Sequence, residues 1–249
     1  MRTSGLSGPY SHSMTTFALV HGGWHGAWCW DVLTPLLQQE GHDVVAMDLP
    51  CDDAAADFGT YADVVCAALG ECDGDVILVG HSMGGHTIPL VADRRPVRHM
   101  VYLCALVPGI GCSLGDQLLQ EPDMMCAGWD AALGEPDEQL RSTWVDLELT
   151  RALLYADCDE STVAAALARL RPQAHFPLGS PFPLAEFPAV SCTSVICSDD
   201  RMVNPDWSKR VARDRLDAEL IELPGSHSPL LSRPSALADV LMGLAETNS

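Results

Sequence analysis

The chain has 249 residues, 47% of them hydrophobic and 19% charged, enough apolar material for one large core and far from the composition of a disordered chain. Lys and Arg total 14 against 34 Asp and Glu, a formal charge of −20, and Lys209 is the one lysine. Nucleic-acid backbones and anionic membrane surfaces both call for clustered cations, so both are disfavoured as partners, and the acidic excess reads as a solubilising surface. The ten cysteines make up about 4% of the chain, below the density of small disulfide scaffolds, and none forms a C-x-x-C pair. Neither a zinc knuckle nor a redox motif is encoded, and most of these residues are expected to behave as small buried hydrophobes. Residues 1–13 have no apolar stretch that would act as a secretory signal and are read as a disordered extension or expression remnant outside the fold. No run of 18 apolar residues occurs, and a cytoplasmic location is expected.

In chain order, Phe17 to Val20 is a short apolar strand halted by His21-Gly22-Gly23. Trp30 to Gln39 follows with helical spacing, then a strand over Asp43 to Leu49, a helix over Ala62 to Leu69, and a buried strand over Asp75 to Val79. Gly80-His81-Ser82-Met83-Gly84-Gly85 opens a helix running to Asp93, and His99 to Leu106 is the next strand. This alternation predicts a mostly parallel central sheet with helices on both faces. It stops after Pro108. Residues 109–188 show no strand pattern, only helical pieces over Asp137 to Tyr155 and Ser161 to Arg171 and then a proline-rich run, and are read as an inserted helical cap. The core, begun over residues 14–108, resumes over 189–249 with strands at Thr193 to Cys197 and Glu219 to Leu223 and helices near Trp207 to Leu216 and Pro234 to Leu244.

Gly80-x-Ser82-x-Gly84 sits between a buried strand and a helix, the context in which a serine is held on a sharp turn with its hydroxyl exposed. A serine hydroxyl is a weak nucleophile and requires a base oriented by a carboxylate. His227 follows the strand ending at Leu223, and Asp200 follows the strand ending at Cys197, so the carboxyl edge of one parallel sheet can gather Ser82, Asp200 and His227. Asp199 competes for the acid role, and Asp200 is preferred for its spacing to Met202-Val203-Asn204-Pro205. An oxyanion hole needs two aimed N–H groups: Met83 supplies one, and Gly23, or failing that Trp24, the other. His21 and His81 are expected chiefly to brace loops, with His21 also a candidate for substrate contact beside Trp129, Trp144 and Tyr155 of the cap. No paired partner is assigned to His25, His86, His99 or His175, and His86 is expected to be packed.

With these residues in place, the chain resembles the α/β-hydrolase superfamily from Thr16 to about Glu246. The run His21 to Trp30, HGGWHGAWCW, together with G-H-S-M-G-G, is similar to the plant methyl-ester esterase and hydroxynitrile-lyase group and its bacterial esterase relatives. The resemblance implies a cofactor-free, metal-free serine esterase acting on a small ester of hydrophobic character, with a homodimer left open. Cyanide-releasing lyases of that group carry a hydroxyl residue where Gly22 stands and a lysine where Ser228 stands, so the resemblance favours ester hydrolysis. A lyase, a carbon–carbon bond hydrolase, or a ligand-binding receptor of the same fold are the alternatives.

Overall fold

The computed structural model describes residues 14–72 and 75–247, so the expected extension at 1–13 lies outside the described residues. Strand β1 (Thr16–Val20) is followed by a 3-10 turn (Ala27–Trp30), helix α1 (Leu33–Gln39) and β2 (Asp43–Ala46). Helix α2 (Phe58–Leu69) begins at a capping box in which Asp57 accepts from the Thr60 N–H, and β3 (Val76–His81) is buried at every position. A 3-10 turn (Ser82–His86) then leads into α3 (Ile88–Arg94) and β4 (His99–Leu103). The single elbow helix expected from sequence is thus divided, with Pro89, which has no N–H to donate, inside the first turn of α3.

Between β4 and the next long strand lie α4 (Leu114–Gln120), β5 (Arg141–Ser142), α5 (Leu147–Leu154), α6 (Glu160–Leu167), β6 (Gln173–Ala174) and α7 (Phe176–Gly179). This segment departs from expectation in three places. Helix α4, capped by Ser113 accepting from the Asp116 N–H, had no periodicity strong enough to mark it. Strands β5 and β6 pair antiparallel but are two residues each, too short to show an alternation. Residues 137–146 are not helical: the Asp137 carboxylate accepts from the N–H groups of Gln139 and Arg141, so side-chain bonds to the backbone replace a helical ladder there.

The chain returns with β7 (Cys192–Cys197), α8 (Pro205–Leu216), β8 (Glu219–Leu223), α9 (Pro229–Ser232) and α10 (Pro234–Thr247). Six strands form one sheet in the order β2-β1-β3-β4-β7-β8, with every neighbouring pair parallel. One face packs Leu78, Met100 and Tyr102 against Tyr61, Val91 and Trp207, and the other packs Phe17, Ile77 and Val101 against Leu33, Leu37 and Leu241. A third cluster, around Trp144, Leu154 and Tyr155, forms mainly within the segment between β4 and β7, the expected cap, and is joined by Met202 and by Trp24 and Trp28 of the β1–α1 connection. All ten cysteines are free thiols, five of them buried. No helix among the described residues is long and apolar enough to cross a membrane.

The turn after β3 leaves no room for added side chains. A Cβ added at Gly84 would lie 2.8 Å from Val20 O, and one at Gly80 would lie 2.9 Å from Gly84 O. Both obstacles are backbone atoms that cannot swing aside. Gly84→Ala is therefore expected to destabilise the fold by about 1–3 kcal/mol, the usual range for overpacking, measured as a lower urea midpoint with an unchanged slope.

Candidate active site

Ser82 lies directly beyond β3 with φ +53°, a left-handed backbone that non-glycine residues rarely adopt. It is partly exposed, while Met83, Gly84, Gly85 and His86 behind it are buried. Its carbonyl accepts from the Leu106 N–H at 3.0 Å, which ties the turn to the chain leaving β4.

On the same sheet edge, His227 Nδ1–H donates to Asp200 Oδ2 at 2.8 Å, with both side chains almost fully enclosed. The other carboxylate oxygen accepts from the N–H groups of Met202 and Val203 at 2.8 and 3.0 Å. Three donors thus hold one carboxylate, which fixes the imidazole with Nε2 free of this contact. Asp199, the rival candidate, is exposed and turned away: its Oδ2 accepts from Ser198 Oγ and the Gly225 N–H. His81, the residue before Ser82, donates Nε2–H to the His227 carbonyl at 2.9 Å, with the two rings 4.9 Å apart.

The loop after β1 lies against this turn. A Cβ at Gly22 would fall 2.7 Å from Ser82 Cβ, and one at Gly23 would fall 3.3 Å from Met83 Cε. Among the described residues, neither the Gly23 nor the Met83 N–H is engaged by a backbone carbonyl outside the regular elements. The Trp24 N–H points instead to Gln173 Oε1 at 3.4 Å, which ranks Gly23 ahead of Trp24 as a free donor. Trp24 itself has φ +60°, and the cap holds it there: its carbonyl accepts from the Arg171 N–H at 2.8 Å and its indole N–H donates to Ser142 O at 3.1 Å. Gln173 reaches on to the Tyr61 hydroxyl and the Ala174 carbonyl. This cap residue was not singled out from sequence. Its link to Trp24 spans 149 residues, and no local pattern announces it.

Two candidates for substrate contact have other work. His21 donates Nδ1–H to Gly22 O at 2.8 Å and accepts from the Leu49 N–H at 2.9 Å, so both ring nitrogens brace backbone. Tyr155 is fully buried and donates its hydroxyl to His25 Nε2 at 2.8 Å, while His25 Nδ1–H donates to Gly23 O at 2.8 Å. His25 thereby gains the partner the sequence did not offer, as does His99 between the hydroxyls of Ser191 and Thr193. Trp129 lines a surface cleft of about 220 Å³ with Glu121, Met125 and Cys126, and Ser82 is not among the residues of that cleft. Trp144 packs against the β1–α1 loop, its ring 5.0 Å from that of Trp24.

Comparison with known proteins agrees with this architecture. Residues 17–240 match the model of the alpha/beta hydrolase family, and the chain belongs to that family. It is 29% identical to methylesterase 7 of Arabidopsis thaliana, over 92% of this chain and 96% of that protein. It is equally 29% identical to salicylic acid-binding protein 2 of Nicotiana tabacum, with the same coverage. Among solved structures, a pyrethroid hydrolase from Sphingobium faniae superposes with a TM-score of 0.79 at 25% identity, over 94% of this chain and 98% of that one.

Burial sets the charge state of the surrounding histidines. It pulls the His21 imidazole down to about 4 and those of His25 and His86 down to about 3, and holds His81 well below the usual histidine range, where the neighbouring His227 adds to the effect. In the unfolded chain these groups take up protons near pH 6.5, whereas in the folded state they stay neutral to about pH 4 or below. The unfolded state therefore binds more protons in that interval, and stability, complete above about pH 6.5, falls as the pH drops. Each such histidine contributes a slope of up to about 1.4 kcal/mol per pH unit. Urea unfolding between pH 7.5 and 4.5 is expected to show His86→Gln losing roughly that much slope relative to wild type, whatever its effect at pH 7.5.

Proposed function

We propose that the protein is a cofactor-independent serine esterase that cleaves small or medium hydrophobic carboxylic esters through an acyl-enzyme. The observation that carries this reading is the Asp200–His227 pair on the same sheet edge as the left-handed Ser82, with the Gly22-Gly23 loop packed against Ser82 and Met83. His227 Nε2 takes the Ser82 proton as Oγ attacks the ester carbonyl. Asp200 keeps the proton on Nδ1 and stabilises the imidazolium that forms. The N–H groups of Gly23 and Met83 receive the oxyanion, the alcohol leaves with the proton from His227, and water activated by the same histidine releases the acid. Trp24 and Trp144 give an apolar wall for the acyl or alcohol group.

Two features support hydrolysis over cyanide-releasing chemistry. The space beside Gly22 is filled by Ser82 itself, so a side chain there would collide with the nucleophile. Ser228, next to His227, is fully buried and uncharged, and no cation stands at that position to hold a leaving cyanide.

Steady-state hydrolysis of p-nitrophenyl esters from acetate to decanoate tests the reading. Wild type is expected to turn over repeatedly, with kcat/KM falling for the longer acyl chains. Ser82→Ala should lower kcat by about 10⁶-fold and Asp200→Asn by about 10⁴-fold. A wild-type rate equal to that of Ser82→Ala on every ester would sink the proposal.

A further inference from the structure

A single short stretch of the cap reaches both halves of the site. Tyr155, just past α5, donates to His25, whose other nitrogen holds the carbonyl of Gly23. Two residues on, the Asp157 carboxylate accepts from the hydroxyl of Ser226, the residue immediately before His227, and from Arg233 Nε at 3.2 Å. Ser226 is 1% exposed, so the bond anchors a buried piece of loop rather than a mobile surface group. The adjoining Gly225 has φ +122°, and a Cβ there would lie 2.6 Å from Asp157 Oδ2, so the loop is pressed directly onto this carboxylate. Burial alone would raise the Asp157 carboxyl, yet it is held below the usual carboxylate range because the Ser226 hydroxyl and backbone N–H favour the anion.

We infer that Asp157 and Tyr155 are positioning residues through which the docked cap sets the reacting groups: Asp157 fixes the loop that presents His227, and Tyr155 fixes the loop that presents the Gly23 N–H. An exposed ion pair with Arg233 would contribute little by itself. What distinguishes Asp157 is that its principal partner is buried and adjacent in the chain to the base. The cap is held elsewhere by independent bonds, Cys126 N–H to Met202 O at 3.0 Å and Ala174 N–H to Cys51 O at 2.7 Å, so loss of the Asp157 carboxylate leaves it docked. The kinetic consequence rests on the serine-esterase reading, whereas the structural consequence does not.

The experiment compares wild type, Asp157→Ala, Asp157→Asn and Tyr155→Phe by two readouts. The first is kcat and KM on p-nitrophenyl butyrate, normalised to active sites titrated with an organophosphate. The second is the downfield proton resonance of His227 Nδ1–H, which reports the Asp200 bond without any turnover. Asp157→Ala is expected to lower kcat per titrated site by about 10- to 100-fold, with KM within twofold, and to broaden or remove the resonance. Asp157→Asn, which retains an acceptor for Ser226, should recover kcat to within about threefold of wild type. Tyr155→Phe should lower kcat and leave the resonance in place, since it acts on the other loop. An unchanged resonance in Asp157→Ala together with kcat within twofold of wild type would overturn the inference. A wild type without turnover, but with a resonance lost in Asp157→Ala, would remove the esterase reading and leave Asp157 as the residue that positions His227.

Discussion

The site depends on one strained residue. Ser82 sits in a left-handed conformation directly after a strand buried at every position, a geometry that costs about 1–2 kcal/mol for a residue with a side chain. The strain persists because its surroundings leave no alternative. Gly84 meets the backbone of Val20 behind it, Gly80 meets Gly84, and the carbonyl of Ser82 is held by Leu106. The same contacts bring the β1 loop so close that a Cβ at Gly22 would fall 2.7 Å from Ser82 Cβ. The left-handed turn at Ser82 and the close approach of the β1 loop are therefore two results of one packing constraint.

A parallel sheet collects loops at its carboxyl edge, yet it does not by itself orient them. In this chain the segment between β4 and β7 contacts all three loops. The loop carrying Gly23 is gripped through Trp24 by Arg171, Ser142 and Gln173, the Asp200 loop is bridged between Met124 and Cys126, and the loop leading to His227 is latched by Asp157. The Arg171, Met124 and Cys126 grips use backbone groups and Asp157 a short carboxylate, so these fix position at little cost in side-chain entropy, whereas ordering Gln173 costs more. The cap is thus continuous with the machinery beneath it.

How much of this was legible follows the range of the interactions. Strands that are buried on both faces write their own pattern, and β3 and β7 were placed within a residue or two from apolar runs alone. Ser82 and His227 stand at strand ends, where topology restricts what can meet. The choice between Asp199 and Asp200 could be argued only from spacing, since adjacent residues share a strand end. What separates them is direction, one carboxylate turned to Gly225 and the other to His227. The cap was least legible because its elements are short and fixed by distant partners. Asp137 builds a turn inside an apparently helical stretch, and Asp157 and Gln173 meet partners 69 and 149 residues away.

The histidines around the site share a physical rationale with His227, the proposed base. A neutral imidazole both donates and accepts, so His21 can join Gly22 O to the Leu49 N–H and His25 can join Gly23 O to the Tyr155 hydroxyl through one rigid ring. A lysine or arginine could only donate, and its fixed charge would oppose the positive charge that the proposed mechanism develops on His227. Burial removes that conflict by keeping His21, His25 and His81 uncharged at neutral pH and well below it. The same burial makes the fold sensitive to acid. Under the proposed mechanism, the site's accommodation of a cationic intermediate and the expected acid sensitivity of the fold thus arise from one cause, the enclosure of neutral rings.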